Sequence, residues 1–341
     1  PSLIKRNPDD IDVLLGDKLS KSKGNFEPVP DLVEKHGADN IRFYYCWDTD
    51  PGKEMKFDEA TIEQESSEAL TTLWHLVQYV KDAVSSVKDI EELDLLVEDQ
   101  WVLNEAFEAT QDVKHGFDEF QIDRAGKGLY DFIVKDLSRT YVQLTRDRTR
   151  TDPTPYHVLG HAVLHATKLI APITPHFSET VYQELRSVLD VEAESVHLTR
   201  IPTETTPFEK HSDTDISKKM DIVQDVITAT LAARDRLGRS IRWPVEQIVL
   251  NAEQGVKDAI TLFEDVVKRR VNTEEIRFED REAPSKANPW FKAIGSDHQE
   301  NTQDVARIVR DNAERLRDAD GDIAIDTYTI KPDYYDLEYV Q

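Results

Sequence analysis

The chain has 341 residues and a formal net charge of −25, because 67 acidic residues face 42 basic ones. This length allows two or three domains, and the single cysteine, Cys46, excludes both a disulfide framework and a cysteine-based zinc cluster. No apolar stretch approaches the roughly 18 residues of a membrane span and no secretory leader is visible, so we expect a cytoplasmic protein with no membrane partner.

The large negative net charge allows more than one interpretation. Such a charge normally argues against nucleic-acid binding and can indicate disorder. The apolar content of 39%, however, recurs with helical periodicity and predicts a folded core. We therefore interpret the charge as an adaptation to concentrated salt, where screening makes it tolerable. The basic residues are clustered rather than scattered, which still allows a polyanionic partner.

The chain opens with a mixed segment and continues as a helical one. Turn signals such as Asn7-Pro8 and Asp50-Pro51-Gly52 indicate loop, strand and helix over residues 1–58. From about Asp58, apolar residues recur at steps of three and four, which predicts helices. Thr174-Pro175 predicts the start of one of them. The apolar stripes of the predicted helices cover 70–87, 103–120, 122–144, 159–170, 177–189 and about 215–237.

After Trp243-Pro244 the periodicity changes, which predicts a small α/β domain over residues 244–341. We expect strands at 245–251 and 275–278 around a helix at 256–271. The final part is predicted to contain a loop at 284–295, a helix at 305–316 and one strand at 323–330.

A lysine-rich loop at residues 17–25, with the sequence DKLSKSKGN, is the sharpest local signal. Ammonium groups neutralise phosphate charge, and small hydroxyls and backbone N–H groups donate hydrogen bonds to phosphate oxygens. Taken alone, the loop could equally be a solvated turn.

The loop and its context resemble class I aminoacyl-tRNA synthetases. KLSKSKGN resembles the KMSKS loop of that family, with Leu19 in place of Met, and residues 33–44 (VEKHGADNIRFY) resemble its GAD-x-(L/I)-R-(F/W)-Y segment. Residues 130–148 are similar to a helix of the archaeal and eukaryotic isoleucyl members, DF-x-V-x-DLS-x-WY-x-x-L-x-R-x-R, with Thr140 at the Trp position. Segments 171–176, 194–198 and 240–245 extend the resemblance to the archaeal isoleucyl type.

The resemblance implies a mostly α fold with three parts. Residues 1–58 would end a Rossmann-type catalytic domain, 59–243 would form a helical anticodon-binding domain, and 244–341 would form the small α/β domain. The implied reaction is the ATP-dependent ligation of isoleucine to tRNA(Ile) through an aminoacyl-adenylate, by a monomer that uses ATP with Mg²⁺ as substrate. No HIGH motif and no editing insertion is visible, so we expect this chain alone to be inactive.

The resemblance also assigns roles within the lysine-rich loop. Lys18 and Lys21 would be catalytic, because their charges would stabilise the developing negative charge on the phosphates. ATP binding would involve Lys18, Ser20, Lys21 and Ser22.

Arginine clusters give an independent argument for RNA. Arginine forks suit phosphate, and an exposed tryptophan can stack on an unpaired base. Local pairing with Asp147, Asp152 and Asp235 is the alternative, and a third cluster at 268–270 fits either interpretation. The predicted tRNA-binding residues are Arg139, Arg146, Arg148, Arg239, Arg242 and Trp243.

A row of histidines, His157, His161 and His165, has a spacing that can hold a metal. No Cys or Glu completes a site nearby, so we interpret the row as packing or capping and predict no metal site.

Two alternatives to an isoleucyl enzyme are open. A valyl enzyme is one, because residues 52–57 (GKEMKF) resemble its GQDIRF segment. The helix at 130–148 and the Arg242-Trp243-Pro244 segment favour the isoleucyl type. A non-catalytic RNA-binding paralogue is the other alternative.

Overall fold

The chain divides into two compact units. In the computed structural model, unit 1 comprises Pro1–Glu246 and Gln254–Glu275, and unit 2 comprises Gln247–Glu253 and Ile276–Gln341. None of the described helices is both long and apolar enough to span a bilayer. The structure describes residues 4–5, 17–18, 28–48, 50–53, 56–202, 208–279, 284–317, 319 and 321–339.

Unit 1 begins with the predicted mixed segment. Three two-residue strands, β1 (Ile4–Lys5), β2 (Asp17–Lys18) and β3 (Lys56–Phe57), form a sheet in which β1 lies between an antiparallel β2 and a parallel β3. Helices α1 (Val29–His36) and α2 (Ala38–Trp47) follow β2. A small core holds this segment together and consists of Leu32, Ile41, Tyr44, Phe57 and Ile62.

The remainder of unit 1 is helical, which confirms the predicted mostly α fold. Every predicted apolar stripe overlaps a helix, although the stripes at 70–87 and 177–189 extend a few residues beyond the ends of their helices. The stripe at 122–144 runs through three consecutive helical segments because its middle is π-helical. The helical elements are α3 (Glu59–Thr61), a π-helical Ile62–Ser66, α4 (Ser67–Ala83), α5 (Val97–Asp118), α6 (Ile122–Tyr130), a π-helical Asp131–Tyr141, α7 (Val142–Thr145), α8 (Thr154–Ile170), α9 (Pro175–Leu185) and α10 (Thr214–Arg236).

Two glycines allow α6 to pack closely against its neighbours. A Cβ at Gly126 would lie 2.6 Å from the carbonyl oxygen of Cys46 at the end of α2, and a Cβ at Gly116 would lie 2.9 Å from the Cβ of Ala125. Only a residue without a side chain fits at these crossings. The C-terminal end of α2 therefore packs directly against α6.

Helix α10 is followed by β4 (Val245–Leu250), α11 (Gln254–Leu262), α12 (Glu264–Val271) and β5 (Thr273–Phe278), with β4 paired to β5. The single helix predicted at 256–271 is therefore two helices, divided at the fully buried Phe263. Both pack against α10 within unit 1. The boundaries predicted at 58 and 243 stay predictions.

Unit 2 has its own core, formed by residues such as Ile294, Val305, Val309 and Ile330. Its strand β6 pairs antiparallel with β9, and β7 forms a hairpin with β8. Its elements are β6 (Pro284–Pro289), α13 (Phe291–His298), α14 (Thr302–Asp311), α15 (Ala313–Arg317), β7 (Ile323–Ile325), β8 (Tyr328–Ile330) and β9 (Tyr335–Tyr339).

Two predictions for this unit were wrong. The stretch 284–295, predicted as a loop, contains a strand and most of a helix, because each strand of a two-stranded sheet has a free edge that tolerates proline. The single strand predicted at 323–330 is a hairpin that turns at Asp326, where φ is +54°. Aspartate tolerates this left-handed conformation better than most residues do.

Candidate nucleic-acid interface

The lysine-rich loop can be placed only at its first residues. The backbone of Lys18 lies in β2, opposite Ile4 of β1. Ser20, Lys21 and Ser22 lie outside the described residues, so the roles assigned to this loop stay predictions.

The first cluster comprises the predicted tRNA-binding residues Arg139, Arg146 and Arg148, which differ in what they contact. Arg146 is exposed and forms no ion pair with a described residue. Arg139 is 59% exposed, and its Nη2 donates to Oε1 of Glu68 at 2.6 Å. The same carboxylate accepts a hydrogen bond from the hydroxyl of Tyr130 at 2.7 Å. Arg146 is thus available to an anion, whereas the charge of Arg139 is already partly neutralised.

Arg148 belongs to a buried ion network. Its side chain is only 7% exposed, and its guanidinium donates from Nη1 to Asp99 at 2.7 Å and from Nε to Asp152 at 2.7 Å. Glu98 lies 3.4 Å away and also binds Arg269 at 2.8 Å. Burial disfavours the charge of Arg148, but the neighbouring carboxylates, led by Asp99, outweigh this and raise its pKa.

Because Arg148 is buried in this ion network, its guanidinium has no exposed side that could bind phosphate. The network joins the first turn of α5 to the Arg148–Arg150 turn and to α12, and Tyr141 adds a hydrogen bond to Asp99 at 2.6 Å. Burial, together with the charge of Asp99, raises the pKa of Tyr141, which therefore stays a neutral donor. We remove Arg148 from the predicted tRNA contacts, because its hydrogen bonds serve the interior of unit 1. The same network gives Arg269 of the third cluster a structural partner.

The second cluster lies in the 237–243 loop, which we define as the residues between the end of α10 and Pro244. Arg239 and Arg242 are exposed and form no ion pair with any residue that the structure describes. Trp243 is 73% exposed, and Leu237 and Ile241 are exposed beside it. Cations and apolar surface therefore occur together in one short loop.

The C-terminal end of α12 lies between the two clusters. Arg270 donates to the carbonyl of Gln143, three residues before Arg146, at 3.3 Å. Asn272 donates to the carbonyl of Ile241, in the 237–243 loop, at 2.8 Å. Since Arg270 and Asn272 are two residues apart, the segments that carry the two clusters contact the same end of α12. We call Arg146, Arg239, Arg242 and Trp243 the arginine–tryptophan surface.

The histidine row makes internal hydrogen bonds, in agreement with the packing interpretation. Nδ1 of His157 accepts a hydrogen bond from the backbone N–H of Lys88 at 3.3 Å, and Nε2 of His161 lies 2.8 Å from the carbonyl oxygen of Lys88. Nε2 of His165 lies 2.6 Å from the hydroxyl of Thr110. Burial lowers the pKa of His165 to about 3, so its ring is neutral at pH 7.

A different group of side chains has the spacing of metal ligands. Ligand atoms of His36, Glu59 and Glu63 lie within 4.8 Å of one another. The ammonium group of Lys35 forms ion pairs with both of these carboxylates. A metal ion would therefore compete with a cation already present, and the expected absence of a metal site stays a prediction.

Comparison with known proteins places these features in a family context. Residues 99–250 match the family model described as the anticodon-binding domain of tRNA ligase. The isoleucine--tRNA ligase of Pyrococcus horikoshii is 31% identical over 316 residues, which is 88% of this chain and 29% of that protein. The isoleucine--tRNA ligase of Methanothermobacter marburgensis is 31% identical over 324 residues, which is 90% of this chain and 30% of that protein. The chain thus spans less than a third of the length of these relatives.

Among solved structures, a ternary LeuRS–tRNA–LeuAMS complex from Agrobacterium radiobacter K84 aligns with 59% of this chain and 23% of its own. The sequence identity is 19% and the TM-score is 0.44.

Proposed function

Since the chain belongs to the archaeal isoleucine--tRNA ligase family, with an anticodon-binding domain over residues 99–250, we propose that it serves the ATP-dependent attachment of isoleucine to tRNA(Ile). In this proposal the helical part of unit 1 binds the anticodon region of the tRNA. The lysine-rich loop closes over ATP and its Mg²⁺ in a cytoplasmic monomer. The relatives named above are isoleucine ligases, which supports isoleucine over valine.

The observation that carries the RNA part is the arginine–tryptophan surface. In a chain with 67 acidic residues, three neighbouring exposed arginines without a carboxylate partner among the described residues are unexpected unless they serve an anion. Guanidinium groups bind phosphate in a bidentate manner, and an exposed indole stacks on an unpaired base. These are the two contacts that recognition of a single-stranded RNA loop requires.

The catalytic part of the proposal rests on the family resemblance. Lys18 and Lys21, with Ser20 and Ser22, would hold the polyphosphate of ATP while the isoleucine carboxylate attacks the α-phosphorus. That attack yields aminoacyl-adenylate and releases pyrophosphate. The lysines would stabilise charge without transferring a proton.

Charge reversal tests the tRNA-binding surface. We expect Arg239→Glu combined with Arg242→Glu to raise the dissociation constant for tRNA(Ile) at least about tenfold, because each charge-assisted contact contributes about 1.5–3 kcal/mol. Binding of radiolabelled tRNA to filters measures the change.

The matched control for this test is Arg150→Glu, because Arg150 is also exposed but lies beside Asp147, at 3.5 Å. Isoleucine-dependent ATP–pyrophosphate exchange by the complete enzyme should be unaffected by the double reversal. An unchanged tRNA affinity, or a loss of exchange at full affinity, would contradict the assignment of this surface.

We also propose that the acidic charge is an adaptation to high salt. Like charges repel over a Debye length of about 30 Å at 0.01 M salt but only about 3 Å at 1 M, so the folded state of a chain with a charge of −25 gains stability as salt rises. We expect the melting temperature to rise between these KCl concentrations. NaCl serves as the control, because screening predicts an equal rise in both salts. A melting temperature that stays constant or falls as salt rises would contradict the proposal that the acidic charge is an adaptation to high salt.

A further inference from the structure

Arg234, in the last turn of α10, is a buried arginine without a carboxylate partner among the described residues. Its side chain is 6% exposed. Its Nη2 donates to two backbone carbonyls of the 237–243 loop, that of Ser240 at 2.9 Å and that of Trp243. Its Nε and Nη1 are buried and donate to no described atom. The guanidinium therefore serves the loop and no charge of opposite sign.

This arrangement is unfavourable for stability alone. A buried donor without an acceptor lowers stability, and Arg234 has two such nitrogens. An apolar side chain of similar length, such as methionine, would fill the same space without that cost. What the guanidinium supplies, and methionine does not, is a pair of hydrogen bonds from one atom to two points of the loop.

Other contacts fix the loop at its remaining points. Gly238 takes a left-handed φ of +63°, which lets the chain turn back at the end of α10. The backbone N–H of Arg239 then donates to the carbonyl of Arg234 at 2.8 Å. Asn272 donates from its side chain to the carbonyl of Ile241 at 2.8 Å. The inner side of the loop is thus bound to protein, and the Trp243 ring faces outward.

We propose that Arg234 is a positioning residue that holds the 237–243 loop so that the Trp243 ring is ready to stack on an unpaired base of the tRNA. This inference rests on the proposed function. A loop whose backbone is fixed before binding loses less conformational freedom in the complex, and this increases the affinity of the residue that it carries. Stacking also depends little on ionic strength, whereas phosphate contacts weaken as salt rises. A preorganised stacking ring suits a chain adapted to high salt.

A double-mutant cycle tests whether Arg234 acts through Trp243. We expect Trp243→Ala to weaken tRNA(Ile) binding about 5- to 100-fold, the range for loss of one base–aromatic stack. Arg234→Met should weaken binding at least about threefold when Trp243 is present and by a smaller factor when it is absent, because the part of the effect that passes through the ring is then lost. Arg234→Lys should restore part of the affinity, since an ammonium group can still donate to the two carbonyls.

A second variant keeps the test decisive if Arg234→Met fails to fold. Asn272→Gly removes the other side-chain hydrogen bond to the loop and keeps the left-handed conformation, in which φ of Asn272 is +52°. It should also weaken tRNA binding more strongly in the presence of Trp243 than in its absence. Thermal melting of each variant separates an effect on the loop from general unfolding.

The outcomes separate this inference from the proposed function. If Arg234→Met weakens binding equally with and without Trp243, or has no effect in either case, Arg234 does not position the ring. If Trp243→Ala is silent while the Arg239 and Arg242 reversal weakens binding, the stacking role is wrong and the proposed function stands. If the reversal is silent too, the proposed surface itself is wrong.

Discussion

Replacing Arg148 with methionine is expected to lower the free energy of unfolding by about 3–5 kcal/mol, the range for removing one partner of a buried ion pair. Asp99 is fully buried and would keep only its hydrogen bonds to neutral groups, including that from Tyr141. Glu98 would keep Arg269, and Asp152 is partly exposed and can be hydrated. The loss therefore comes mainly from the uncompensated charge of Asp99.

Urea unfolding at fixed high KCl, followed by far-UV circular dichroism, measures this loss. Arg150→Met is the matched control, because that arginine is 76% exposed and its ion pair with Asp147 spans 3.5 Å. Exposed pairs contribute at most about 1 kcal/mol. Equal losses for the two variants would contradict the buried ion network. A stable Arg148→Met protein with weakened tRNA binding would restore the original prediction of a tRNA contact.

Replacing Lys21 with alanine in the complete enzyme is expected to reduce isoleucine-dependent ATP–pyrophosphate exchange by about 10²- to 10³-fold. Loss of one preorganised group that stabilises the charge of a transition state costs about 3–4 kcal/mol. The effect should fall on the rate of adenylate formation more than on tRNA affinity, because the lysine would contact the pyrophosphate portion of ATP.

Lys53→Ala is the control for charge removal, because Lys53 is exposed and pairs with Asp50. It should leave the exchange rate close to that of the unaltered enzyme. Full exchange activity in Lys21→Ala would remove the catalytic assignment of the lysine-rich loop and would favour the non-catalytic RNA-binding alternative.

The helices of this protein follow from its sequence because their cause is local. Apolar residues at steps of three and four form one stripe on a helix, and burial of that stripe stabilises the helix in any bundle. The predicted stripes accordingly matched helices in unit 1. Outside unit 1 two predictions were wrong: 323–330 alternates as one strand should but turns at Asp326, and 284–295 was predicted as a loop but contains a strand and most of a helix.

Periodicity also missed the division between α11 and α12. Val256 to Val271 keeps one apolar pattern, yet the helix is interrupted at the buried Phe263, whose φ of −107° and ψ of 26° are not helical. Both helices pack against α10. The apolar periodicity of residues 256–271 does not show how this segment packs against α10, because α10 is distant in sequence.

The sequence by itself determined that this chain has a mostly α fold and which arginines are concentrated in an acidic background. It could not determine what those arginines do. Arg146 and Arg148 are two residues apart in the turn that follows α7, where no helical periodicity predicts the directions of their side chains. One guanidinium is exposed and the other is enclosed by Asp99, Glu98 and Asp152. Only the packing of the first turn of α5 against this turn decided between a tRNA contact and an internal ion pair. The tertiary structure likewise separated Arg234, which is held inside by two carbonyls, from Arg239 and Arg242, which face the solvent.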